Sequence, residues 1–260
     1  MQKFLFLVTV LSSFISLPVL GAQNIQFDPI GFSPLGKYFS FEEYGLNEAS
    51  GNAYSKIYII DIAQLSQVIG TPIIYRANIA EQSLGSIRSE ALENAGPYLQ
   101  SLKIEQPAII VALNANSAPG ANNTNIKFEL SNSQNPAVLT KTYQLNLEIF
   151  DAVAAAECSE IENFSPKGFA LYLQALDREE KPEQIEPNQI YRDGVLPRSR
   201  QCPSNYGITA IIFPFGSSDL SQGVALISEL FASEGAALRN YLAIPLSAKS
   251  SVQPGVADTQ

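Results

Sequence analysis

The chain of 260 residues contains no histidine. The side chain that most often moves protons near neutral pH, and that completes Ser-His-Asp and Cys-His sites, is therefore missing. Gly-x-Ser-x-Gly, Ser-x-x-Lys, Cys-x-x-Cys and phosphate-cradling glycine loops are absent as well. Carboxylate chemistry remains, and a glycan hydrolase of that kind needs two carboxyl groups roughly 5–9.5 Å apart. The candidates are Glu43, in Phe41-Glu42-Glu43-Tyr44, paired with Asp61 or Asp193 from another strand. Glu42 and Glu43 cannot serve as the pair themselves, because neighbours on a strand point to opposite faces.

A second constellation lies between Tyr191 and Tyr206, where Arg192, Arg198 and Arg200 stand close to Cys202 and Tyr206 in an otherwise acidic chain. Arginine forks grip carboxylates and other anions in bidentate fashion, so Arg192, Arg198, Arg200 and Tyr206 are candidate binding residues. The structural alternative is an ordered loop stapled by a disulfide, its arginines bridging acids such as Glu160 and Glu162. Cys158 and Cys202, the two cysteines, lie 44 positions apart. In an oxidising compartment they are expected to bond, closing a loop worth about 4 kcal/mol in the chain-entropy picture. Two cysteines without histidine make no zinc site, and the Asn47–Asn52 loop lacks EF-hand spacing. No metal and no cofactor are expected.

The net charge is −9, and the basic residues are scattered. Neither nucleic acid nor an anionic membrane surface is an expected partner. An envelope protein or a small ligand fits better. Lys3, an apolar run from Phe4 to Leu20 and the small residues Gly21-Ala22 read as a secretory leader over 1–22, with no membrane span after its cleavage.

These candidates must be positioned mostly by strands. β-Branched and aromatic residues dominate Tyr54–Ile62, and Gly51-Asn52 and Gly70-Thr71-Pro72 punctuate it. Strand character recurs over 38–44, 71–76, 108–113, 126–130, 142–150, 168–176 and 206–215. The stretch 223–231 also fits a helix face but reads as one arm of a hairpin with 241–245. Near 86–103 the spacing is helical, with Ile87, Ala91, Leu92 and Ala95 on one face and Arg88, Glu90 and Glu93 on the other, and Gly96-Pro97 ends or kinks the helix. Residues 114–125 and 177–188 read as solvated loops, and the tail 248–260 as disordered.

One local pattern occurs twice: Phe32-Ser33-Pro34-Leu35-Gly36 and Phe164-Ser165-Pro166-Lys167-Gly168, each followed by a strand. Proline presets a turn and glycine accepts the positive φ it demands. The pattern resembles the Phe-Ser-Pro-Asp-Gly turn of WD40-like β-propeller repeats, with Leu35 and Lys167 in place of the aspartate. A wider resemblance rests on Gly31-Phe32-Ser33-Pro34, Phe41-Glu42-Glu43-Tyr44-Gly45, Tyr54-Ser55-Lys56-Ile57-Tyr58, Gly70-Thr71-Pro72 and Leu196-Pro197-Arg198-Ser199-Arg200-Gln201-Cys202-Pro203. Through these segments the chain is similar to a proteobacterial family of predicted secreted proteins of unknown function. That similarity implies a periplasmic or secreted address in a Gram-negative bacterium and no particular activity.

The expected architecture is all-β with minor α. Two antiparallel, blade-like β-meander modules, 23–150 and 151–247, pack together with one short helix and do not complete a propeller. The expected role is non-catalytic binding or envelope interaction, and the alternative is a histidine-free carboxylate hydrolase of envelope glycan.

Overall fold

The structure, a computed structural model, describes residues 25–47, 50–78, 82–114, 123–131, 139–154, 158, 164–177, 179–183, 186–231 and 238–247. The leader and the tail expected from sequence lie outside them, as do Glu160 and Glu162. Among the described residues the chain forms thirteen strands and one α-helix. The strands are β1 (Gln26–Phe32), β2 (Tyr38–Leu46), β3 (Ala53–Asp61), β4 (Ser66–Gln67), β5 (Ile73–Arg76), β6 (Ala108–Leu113), β7 (Asn125–Ser131), β8 (Leu139–Asp151), β9 (Lys167–Leu176), β10 (Asn188–Arg192), β11 (Pro203–Pro214), β12 (Val224–Phe231) and β13 (Leu238–Pro245). Helix α1 spans Leu84–Ser101.

Three antiparallel sheets result. Sheet I has the order β1-β2-β3, with both β4 and β5 pairing with β3; sheet II is β10-β9-β8-β7; sheet III is β13-β12-β11-β6. None closes into a barrel, and they do not form a complete propeller. Sheet II takes β7 and β8 from before residue 152 and β9 and β10 from beyond 166, while β6 joins sheet III through β11.

The layers follow from which faces are apolar. Sheet III is covered on both sides. Ala210, Ile212, Val224, Leu226 and Tyr241 pack on Phe32, Phe39, Phe41 and Ile60 of sheet I. Ile208, Ile211, Phe213, Ala225 and Ile227 pack on Phe128, Leu145, Phe169 and Leu171 of sheet II. This double burial explains why β11 and β12 read as nearly unbroken apolar runs instead of alternating. A register shift between Ile208 and Ala210 puts Ile208 on the same face as Ile211, three positions on.

The outer face of sheet I carries α1. Ser83 caps its start by accepting from the Ser86 amide. Ile87, Ala91 and Ala95 are fully buried, as their spacing predicts, but Leu92 is 48% exposed. Arg88 does not face away either: its Nε reaches Glu42 Oε2 at 3.0 Å, it pairs with Asp28, and its guanidinium lies 3.7 Å from the Tyr44 ring centroid. The helix also runs through Pro97 to Ser101. Proline forfeits one hydrogen bond there, and the packing of Ala95 and Leu99 on Ile57 and Ile73 holds the last turn in place.

The two Phe-Ser-Pro-x-Gly segments differ in backbone. In the first, Leu35 (φ 63) and Gly36 (φ 67) are both left-handed, and the Ser33 hydroxyl accepts from the Tyr38 amide at 2.9 Å before β2 starts. In the second, β9 already begins at Lys167, and Gly168 has no positive φ. Gly168 is small for another reason, since a Cβ there would meet Ala152 Cβ at 3.0 Å and the Phe150 ring at 3.1 Å. Strand β1 was not evident from sequence because Pro29 interrupts it; as a sheet-edge strand with a register shift between Pro29 and Gly31, it tolerates the missing donor.

Candidate functional site

Among the candidate residues the fold first separates Glu42 from Glu43. Glu42 faces α1, accepting from Arg88 and from the Ser55 hydroxyl at 2.8 Å. Glu43 faces sheet III, fully buried, with Oε1 2.6 Å from Lys56 Nζ and Oε2 accepting from the Tyr241 amide at 3.2 Å. Burial pushes the Glu43 carboxyl up, against the pull of Lys56. Asp61 is spent on a turn, its Oδ1 accepting from the amides of Ala63 and Gln64. It lies opposite Tyr38 on β2, five residues from Glu43, or roughly 17 Å along the strand. That is too far for a hydrolytic pair with Glu43.

Asp193, Arg200 and Tyr206 do come together. Strand β10 delivers Tyr191, and the chain turns at Asp193, whose Oδ2 accepts from the Phe169 amide at 3.0 Å. Leu196, fully buried, anchors the crossing, and a 3-10 turn at Arg198–Arg200 swings Arg200 back over the end of sheet II. The disulfide Cys158–Cys202 fastens the segment immediately afterwards. Arg200 Nη2 is 3.1 Å from Asp193 Oδ1 and donates to the Tyr191 hydroxyl at 3.0 Å. Its Nη1 is 3.4 Å from Glu229 Oε1 and donates to the Tyr206 hydroxyl at 3.1 Å. The two hydroxyls in turn donate to Asp193 (2.6 Å) and Glu229 (3.3 Å). Burial raises both tyrosines, so they keep their protons and remain donors. The side chains of Arg200, Asp193 and Glu229 are only 12%, 4% and 3% exposed.

Arg192 and Arg198 stay outside this cluster. Arg192 stacks 4.1 Å from the Phe150 ring centroid, and Arg198 is exposed on the turn. Of the two readings of the arginine segment, the geometry has the disulfide-stapled loop with its arginine bridging acids, and those acids are Asp193 and Glu229. Glu229 was missed in sequence. The available signal was a single acid inside the apolar run Val224–Phe231, a position where a carboxylate needs a partner.

The Arg200–Glu229 cluster forms one end of a cleft between sheets I and III. Its volume is about 260 Å³, and its walls include Phe41, Tyr58, Tyr191 and Tyr241, with Ser66, Gln67, Ser199 and Asn240 offering polar groups. A second cavity of about 260 Å³ shares Asn240 and extends toward Lys56. Among the described residues, no group of three or more metal-ligating side chains occurs.

Burial pushes Glu229 up to about 7, with Arg200 and Tyr206 holding it lower than burial alone would. The carboxyl therefore binds its proton more tightly folded than unfolded. Its contribution to stability is complete below the unfolded value near 4.5 and is lost as pH rises through about 7. Glu43 is displaced in the same direction. We expect the protein to be on the order of 2 kcal/mol more stable at about pH 5 than at about pH 8. Thermal melts across this range should show Glu229→Gln flattening the profile; a profile that rises with pH contradicts this reading of Glu229.

Residues 40–247 match the family described as "Predicted secreted protein (DUF2259)". No curated protein and no solved structure matches the chain. No helix among the described residues is long and apolar enough to cross a membrane.

Proposed function

We propose, for a chain that belongs to the DUF2259 family of predicted secreted proteins, a non-catalytic binding role in the periplasm, reached with the aid of the leader at 1–22. The ligand is a small, uncharged, hydroxylated molecule of the kind found in envelope glycan, held in the cleft between sheets I and III. One observation carries this reading. The ionisable groups lining the cleft, Arg200 and Glu229, already engage each other, leaving aromatic walls and neutral hydrogen-bonding groups to meet a ligand. Arginine thus serves here to hold the wall in place, and Arg192 and Arg198 contribute no contact to it.

The chain has eleven tyrosines and no tryptophan, so its intrinsic emission is tyrosine emission, to which Tyr58, Tyr191 and Tyr241 in the walls contribute alongside the other tyrosines. Titration with soluble glycan fragments should change it in a saturable way. Asn240→Ala should weaken binding about tenfold, the loss of one or two hydrogen bonds, with little change in melting temperature. The sugars should be recovered intact. A fragment series that leaves the emission unchanged removes this proposal.

A carboxylate hydrolase has one observation in its favour: a cleft acid held near 7 is suited to general acid work. In that case glycan is cleaved and Glu229→Gln abolishes turnover, with the fold retained. The geometry favours binding, because the other carboxylate beside Glu229 is Asp193, tied into the same guanidinium.

A further inference from the structure

The cleft between sheets I and III is bordered by strand margins as well as by strand faces. Consecutive residues of β13, from Asn240 to Ile244, line it. Neighbours on a strand point to opposite faces, so a cavity that touches all of them meets the edge of the strand. β13 is the marginal strand of sheet III and pairs with β12 alone. The phase of that pairing is fixed by the Leu246 amide, which donates to the Gly223 carbonyl at 2.9 Å. In an antiparallel ladder every second residue bonds to the neighbouring strand. Ile244 and Leu242 therefore bond to β12, while Ala243, like Tyr241 before it and Pro245 after it, turns its backbone outward. The Tyr241 amide shows this direction, since it leaves the sheet to reach Glu43. Sheet I supplies a second margin through β4. The Val68 amide donates to the Ile59 carbonyl at 2.8 Å, so Gln67, opposite Ile60 and also lining the cleft, turns its backbone away from β3. No strand among the described residues pairs with either margin on its outward side.

We propose that the ligand of this cleft carries a secondary amide, and so, within the hydroxylated class, is an N-acetylated amino sugar; the inference rests on the glycan reading of the cleft. The N–H and C=O of a trans amide point in opposite directions, which is how a strand joins neighbours on both of its sides. The Ala243 N–H donates to the acetamido carbonyl, and the acetamido N–H donates to the Gln67 carbonyl. The group is neutral, in keeping with a cleft whose ionisable groups are already engaged with each other. Its methyl meets the Phe41 and Tyr58 rings in the wall. A hydroxyl in its place lacks both the methyl and the opposed donor and acceptor.

Calorimetric titration of the oxidised protein with chitotriose and cellotriose, which differ in carrying acetamido or hydroxyl groups on the second carbon of each sugar, provides the test. Chitotriose should bind about tenfold tighter, the value of one or two hydrogen bonds. Ala243→Pro removes the donor without touching the bonds to β12, and Pro245 already occupies an outward position of the same strand. With its fold checked by circular dichroism, this variant should bind chitotriose only as well as cellotriose, with cellotriose affinity unchanged. A second measurement needs no variant: in the parent protein the Ala243 amide proton should exchange about tenfold more slowly once chitotriose is bound. Equal affinity for the two sugars, chitotriose binding undiminished in folded Ala243→Pro, or an Ala243 amide whose exchange is unaltered in the complex would overturn this inference and leave the neutral-ligand reading of the cleft in place. Failure of both sugars to bind removes both.

Discussion

Arg200→Met should destabilise the protein by about 4 kcal/mol, the scale seen when one partner of a buried ion cluster is removed. Arg200 sits between Asp193 and Glu229 and donates to both Tyr191 and Tyr206. Without the guanidinium, two largely buried carboxyl groups remain at the end of the cleft, each keeping its tyrosine and, for Asp193, the Phe169 amide. Arg200→Lys should recover only part of the loss, since a single ammonium cannot span both acids in the manner of a planar fork. Adding Glu229→Gln to Arg200→Met should recover more, because the amide removes one of the two stranded acids. Urea unfolding of the three variants measures these differences. A loss below about 1 kcal/mol for Arg200→Met would place the cluster among surface ion pairs, which contribute little.

The second large effect belongs to the disulfide. Cys158 and Cys202 are 44 residues apart, and opening a loop of that length releases chain entropy in the unfolded state worth about 4 kcal/mol. For a chain of this size, the double variant Cys158→Ala with Cys202→Ala should melt roughly 10 °C below the parent. The bond does more than shorten the unfolded chain: Cys202 lies two residues beyond Arg200, at the end of the turn that aims the guanidinium. Combined with Arg200→Met, the double variant should therefore cost less than the sum of its parts, because neighbouring changes that disturb one turn are not independent. Strict additivity would show that the staple and the ion cluster act separately.

Strand positions are largely legible in this chain because β-branched and aromatic runs such as Tyr54–Ile62 are bounded by glycine, proline and asparagine. The hairpin of β12 and β13 is legible for the same reason, its full register running from Val224 opposite Pro245 to Phe231 opposite Leu238. Less legible is anything decided at long range. Leu92 keeps helical spacing with Ile87 and Ala91 but falls at the edge of the sheet-facing stripe, where spacing alone does not separate covered from uncovered. Gly168 looks like a turn glycine and is instead a point of close packing, a distinction that depends on Phe150 in the neighbouring strand.

The candidate site divides along the same line. Arg200, Tyr206 and Asp193 stand within fourteen positions of one another, and their types announce an interaction. Glu229 arrives from a strand that local pattern marks as core, and its role emerges only once β12 pairs with β11, placing it opposite Tyr206. The opposite facing of Glu42 and Glu43 needed only the two-residue period of a strand, whereas their partners, Arg88 and Lys56, required the helix and the third strand to be in place.

The order of sheet III sets a constraint on how the molecule can be made. Strand β6 ends at Leu113, and its partner β11 begins at Pro203. A chain that emerges amino end first presents β6 about ninety residues before its strand partner. Over that interval Ile109 and Val111, which pack on the core between sheets II and III, lack their strand partner. Closure of the central layer thus waits on a pairing of long sequence separation, the kind of contact that forms slowly.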